Sequence, residues 1–162
     1  SLIIGLILLA VAVIVGQLLS NKPIRPKRSG YRMAPRVLSN AERSFYGVLA
    51  DAVDGHGLIF AKVRVADVLA PRKGLDHSSR TRAFNRMSAK HFDFVICEPG
   101  DCSVQLAVEL DDSPHSRAKR RDRDRFLDEA CESAGLPLLR IRAAHAYSVA
   151  DIRREIEQQV PQ

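Results

Sequence analysis

Cysteine is scarce, with three in 162 residues. Cys97 and Cys102 are five apart and Cys131 stands alone. This odd number, in no metal-type spacing, excludes a disulfide framework and a cysteine-ligated zinc site. It points instead to reduced thiols, with Cys97 packed in a strand. Nine glycines and eight prolines, in no internal repeat, exclude collagen-like and coiled-coil chains. Most of the chain also carries no excess of either charge. The net charge is +6, but residues 37–162 hold 19 basic and 19 acidic side chains and sum to zero. The whole excess sits in residues 21–36, as Lys22, Arg25, Lys27, Arg28, Arg32 and Arg36 with no acid among them.

One long apolar run is present. Leu2 to Leu19 carry no charge, and Gln17 is their only strongly polar side chain. Eighteen helical residues at ~1.5 Å each span roughly 27 Å, about the depth of a bilayer core. A cleaved signal peptide wants positive charge before a shorter run and small residues at its end. Here the charges follow the run, so the expectation is a transmembrane helix over residues 1–20. A basic, proline-containing juxtamembrane linker follows over 21–37, resting on anionic lipid headgroups, and a folded domain occupies 38–160. The positive-inside rule puts that domain in the cytoplasm, on the inner side of a single-pass membrane protein.

Within the domain, Ser39-Asn40-Ala41-Glu42 fits a capping box, and Phe45, Val48, Leu49 and Val53 follow at helical spacing, predicting a helix over 40–53. Alternation and β-branched content predict a strand over 58–65, then one helical turn over 66–69. A loop and a short, strongly basic helix over 79–89 come next. Further strands are predicted over 92–97 and 104–111, separated by the turn chemistry of Glu98-Pro99-Gly100-Asp101. A helix over 117–134 is terminated by Gly135 and Pro137. A strand over 138–142 and a last helix capped by Ser148 complete the order. A hairpin followed by a strand–helix–strand unit implies an α/β fold: a mixed sheet flanked by helices.

The carboxylates have a pattern. On the third strand Val104, Leu106, Val108 and Leu110 alternate with Gln105, Ala107, Glu109 and Asp111, so the two acids leave on one face. The second strand has the same parity, with Asp93 opposed to Phe92 and Phe94. Pairing Cys97 with Ser103 sets Asp93 opposite Ala107, one diagonal step from Glu109, with the other face of the hairpin as core. Residues 91–115 hold six acids and no Lys or Arg. Such a cluster repels itself unless a cation sits in it, and oxygen ligands suit Mg²⁺, Mn²⁺ or Ca²⁺. Basic stretches at 62–90 and 117–125 flank the cluster, as a phosphate backbone would require. In the second, Arg121–Arg125 and Asp124–Asp128 are like-charge i,i+4 neighbours that helix stability does not explain. His115, just past the strand end, is placed to orient or deprotonate a water.

The order helix–strand–strand–strand–helix–strand, with Asp93 on the second strand and Glu109-x-Asp111 on the third, resembles the PD-(D/E)XK or restriction-endonuclease-like superfamily. Phe92-Asp93-Phe94, Ala107-Val108-Glu109-Leu110-Asp111-Asp112 with His115, Asp122-x-x-Arg125, Gly135 and Leu138-Leu139-Arg140 look more closely like its very-short-patch-repair endonuclease-like branch. Within that branch, Glu42-Arg43-Ser44-Phe45-Tyr46, Phe60-Ala61-Lys62-Val63 and Lys90-His91-Phe92-Asp93-Phe94 resemble a bacterial domain family of unknown function. The likeness spans roughly residues 38–158.

The resemblance implies a phosphodiesterase site using Mg²⁺ or Mn²⁺, with Asp93 and Glu109 as metal ligands and Asp111 as a neighbouring acid. His115 would be an active-site histidine. Arg125 and Arg140 would be phosphate contacts or structural partners of Asp122. The superfamily's third-strand lysine is replaced here by Asp111, so its charge would come from His115, Lys62 or Lys90. The expected function is a membrane-anchored nuclease acting on nucleic acid, DNA favoured. The alternative is a catalytically silent module of the same fold that binds nucleic acid or protein at the membrane.

Overall fold

The computed structural model describes residues 30–111 and 117–160, together with Gly5, and excludes the side chains of 117–121. The chain divides into two units, residues 1–34 and 35–162. Residues 30–34 are exposed and without regular structure. The expected transmembrane helix, most of the linker and His115 lie outside the described residues. Among those described, no helix is long and apolar enough to cross a membrane.

Helix α1 (Asn40–Val53) begins where the capping box puts it. The Ser39 hydroxyl accepts from the Glu42 amide, and the Glu42 carboxylate accepts from the Ser39 amide. Phe45, Leu49, Ala52 and Val53 form its buried stripe, and Asp54 closes it in the left-handed region. Strand β1 (Leu58–Arg64) leads into a single turn, α2 (Val65–Val68), and the basic helix α3 (His77–Ser88), whose N-cap Asp76 accepts from the Ser79 amide. Strands β2 (His91–Cys97) and β3 (Val104–Asp111) form the hairpin. Helix α4 (Arg117–Ala134) ends at Gly135 with φ +70°, a conformation glycine adopts without a Cβ penalty. Strand β4 (Leu138–Arg142) and helix α5 (Val149–Gln159), capped by Ser148, follow.

The sheet runs β1-β2-β3-β4. β1–β2 and β2–β3 are antiparallel and β3–β4 is parallel, with α4 as the crossover between β3 and β4. The expected mixed sheet flanked by helices is present. On one face Phe94, Ile96, Leu106, Val108 and Leu110 pack against Phe45 and Leu49 of α1 and Ile152 of α5. On the other, Val95, Cys97 and Ala107 pack under Phe126, Leu127 and Cys131 of α4. The hairpin therefore has core on both faces, because α4 lies over the side that carries Glu109.

The hairpin register differs from the one expected. Val95 pairs with Ala107 and Phe94 with Val108, and the ladder shifts between Ile96 and Cys97, so that Cys97 meets Val104. The irregularity absorbs an extra residue near the turn, as a β-bulge does. Beyond it Asp93 falls one step past Phe94 opposite Glu109, no longer opposite Ala107, and Phe92 packs with Val95 and Ala107 instead of sharing the face of Phe94 as expected.

Candidate active site

Extending the ladders by one step places Lys62, Asp93, Glu109 and Arg140 in one row across all four strands. Ala61↔Phe94 and Val63↔Phe92 bracket the first contact, Phe94↔Val108 precedes the second, and Glu109↔Arg140 is paired directly. A charged row in the middle of a sheet is costly unless each member is satisfied. How each is satisfied defines the site.

Asp93 is 8% exposed. Its Oδ2 accepts from the Leu110 backbone amide at 3.0 Å, so a side chain stands in for a ladder bond where β2 and β3 stop pairing. Its Oδ1 accepts from Lys62 Nζ at 2.9 Å. The same ammonium donates to Glu42 Oε1 at 2.6 Å. Burial works against the Lys62 ammonium, but its bonds to Glu42 and Asp93 prevail and raise its pKa above the usual lysine value. Glu42 mirrors this: burial opposes its charge, while Lys62 and the Ser39 amide bring it below the usual glutamate value. Lys62 reaches both acids from a backbone at φ +56°, in the left-handed region, at the break in the β1–β2 ladder. A non-glycine residue held there costs on the order of 1 kcal/mol or more, and such strain concentrates at functional sites.

Glu109 is 1% exposed. Its Oε2 accepts from Arg123 Nη2 at 2.5 Å, while its buried Oε1 has no hydrogen-bond partner among the described residues. Burial, and then the negative charge of Asp93, push its carboxyl up to about 7, against the pull of Arg123. Glu42, Asp93 and Glu109 thus face Lys62 and Arg123, and the charge of Arg140 also bears on Glu109.

The other candidates are placed differently. Asp111, at the exposed end of β3, stands 3.9 Å from Arg140 and does not join the acid pair. Among the described residues no three His, Cys, Asp or Glu side chains gather as a metal site. Arg140 pairs with Asp128 at 2.9 Å and Asp124 at 3.6 Å and not with Asp122, so the two like-charged neighbours on α4 share one guanidinium. Arg125 is exposed, near Asp122 and Glu129. Lys90 is turned away from the acids, onto the Arg86 carbonyl and the Phe126 ring. Of Lys62 and Lys90, it is Lys62 that meets Asp93.

Two site members were not singled out from sequence. In the sequence Glu42 presents itself as a capping residue. Arg123 was one of a basic run, although Leu127 and Cys131 at i+4 and i+8 put it on the buried stripe of α4. A cation on an apolar stripe is a signal that periodicity could have supplied.

These residues fit a small divalent cation. The donor set is all carboxylate oxygen, and one of those oxygens is buried and unsatisfied. Mg²⁺ characteristically uses one or two carboxylates and completes its shell with water and substrate phosphate.

The fold and site define a mixed α/β domain with a buried acidic pair braced by cations. Residues 34–159 match DUF2726, described as a protein of unknown function, and the chain belongs to that family. No curated protein and no solved structure matches it.

Proposed function

We propose that this domain is a metal-dependent nuclease of the PD-(D/E)XK type, hydrolysing phosphodiester bonds of nucleic acid, with DNA favoured. The observation that carries the reading is the pairing of Asp93 with a buried Glu109 whose Oε1 lacks a partner among the described residues. Asp93 and Glu109 would hold Mg²⁺ or Mn²⁺, which when bound supplies Lewis-acid polarisation of the scissile phosphate. The Leu110 amide fixes the Asp93 carboxylate, and Arg123 fixes that of Glu109. Lys62 places positive charge beside Asp93, where the phosphoryl oxygens gather negative charge as the bond breaks. It thus takes the part of the lysine that Asp111 replaces on β3. His115 is assigned to orient or deprotonate the attacking water. Residues 2–19 would anchor the domain at the cytoplasmic face of a bacterial inner membrane. The basic linker would add about 1 kcal/mol per Lys or Arg near anionic headgroups.

The test is incubation of the full chain with plasmid and single-stranded substrates, with and without Mg²⁺ or Mn²⁺. The expected result is metal-dependent cleavage that disappears in Glu109→Ala and Asp93→Asn while circular dichroism is unchanged. A second reading, a silent binding module, is favoured by one observation: Lys62 and Arg123 already neutralise most of the acid charge. Binding without cleavage under every metal condition selects it.

A further inference from the structure

The two basic stretches that flank the acids are not equivalent surfaces. Lys62 is committed to Glu42 and Asp93, Arg64 to Asp67 and Arg123 to Glu109. Lys90 lies on the Phe126 ring. What remains open is α3. It buries only Met87, with Ser79 and Ala83 half-buried on the same stripe, and turns the rest of its length to solvent. No acid occurs from His77 to Phe92. Arg80 is exposed and pairs with no acid among the described residues, whereas Arg82, two positions on and therefore on the opposite flank of the helix, donates to the Ser78 and Ser79 hydroxyls. Between Arg80 and Arg86 stands Phe84, 47% exposed, one helical turn from Arg80 and outside every aromatic pair described. At the far end Arg86 lies 4.7 Å over the Phe126 ring, tying α3 to α4 one turn from Arg123. Three residues after α3, β2 begins and leads directly to Asp93.

We propose that α3 grips an unpaired nucleic-acid strand along the flank that Arg80 and Phe84 share, with Arg80 on a phosphate and Phe84 stacked on an exposed base. This rests on the reading of the acid pair as a site for nucleic acid, and it narrows the substrate to single-stranded or frayed ends. Cations track a backbone of any sequence, whereas an aromatic ring finds a free base face only where pairing is broken. A lipid surface is the weaker occupant, because α3 offers one exposed aromatic and no apolar stripe to bury in a membrane.

The experiment measures anisotropy of a short fluorescein-labelled single strand and its matching duplex. It uses the full chain in neutral detergent with chelator present, so that binding is separated from cleavage. Phe84→Ala is expected to weaken the single strand roughly tenfold and leave the duplex almost unchanged. Arg80→Ala should lower the single-strand salt slope by about 0.7. Equal effects of Phe84→Ala on both substrates, or none, overturn the proposal. So does binding to phosphatidylserine vesicles with no oligonucleotide bound. Metal-dependent cleavage that ignores both substitutions overturns it while leaving the nuclease reading intact. The expected binding pattern without any cleavage supports it while removing the nuclease reading.

Discussion

Lys62 Nζ lies 2.9 Å from Asp93 Oδ1 and 2.6 Å from Glu42 Oε1, so one ammonium ties the edge strand to a central strand and to the first turn of α1. Removing it leaves two largely buried carboxylates without their shared cation. Lys62→Met is expected to destabilise the domain by about 2 kcal/mol, less than a fully buried pair would cost because the lysine is one-third exposed. Chemical denaturation of Lys62→Met, Glu42→Gln and the double variant should show non-additive losses. Additive losses would mean that Lys62 and Glu42 are not coupled.

Glu109 connects stability to pH. Its folded pKa of about 7 stands above the ordinary 4.5, so the folded state holds this proton more tightly than the unfolded chain. The resulting stabilisation is fully present below about 4.5 and disappears as pH rises through about 7, an effect of at most about 3 kcal/mol. Urea melts in chelator at pH 5 and pH 8 should show the decline in the wild type. Glu109→Gln, which stays neutral and still accepts from Arg123, should flatten it. An equally steep decline in Glu109→Gln assigns the pH dependence to another group.

The thiols divide by burial. Cys102 is exposed, while Cys97 and Cys131 are buried. Burial first, and then the charges of Asp128 and Glu109, push the Cys131 thiol up to about 11 from 9.0. At pH 8 its thiolate fraction is therefore about a hundredfold below that of an ordinary thiol. A thiol reagent should modify one equivalent rapidly in the folded protein and the other two only in denaturant. Three fast equivalents in the folded protein would contradict the packing of α4 on the sheet.

Gly57 precedes β1 where a Cβ would stand 2.9 Å from Ile96 Cγ2 and 3.2 Å from Val53 Cγ1. Ile96 is buried and branched at Cβ, so it yields little. Gly57→Ala is expected to cost about 1–3 kcal/mol in a denaturation midpoint shift at constant m-value. An unchanged midpoint would show that the α1–β2 contact yields to an added methyl group.

Element order was legible because each signal is local. The capping box of Ser39 and Glu42, the Asp76 and Ser148 caps and the glycine at 135 mark helix ends through the backbone groups nearest to them. Alternation along 92–97 and 104–111 marked β2 and β3, and the helix between β3 and β4 implied a parallel pair. Asp93 and Glu109 were legible as acids of matched parity on neighbouring strands.

What local pattern could not supply was register and partnership. The shift between Ile96 and Cys97 is settled by how both faces of the hairpin pack, and it moves Asp93 from Ala107 to Glu109. The partners of the acids come from far along the chain, Glu42 and Lys62 on one side and Arg123 on the other, through the docking of α1 and α4 on opposite faces of the sheet. Periodicity reports which side of an element a residue occupies. Which cation meets which carboxylate follows from the angle and depth at which two elements settle, and that is decided by side-chain volumes filling a shared core.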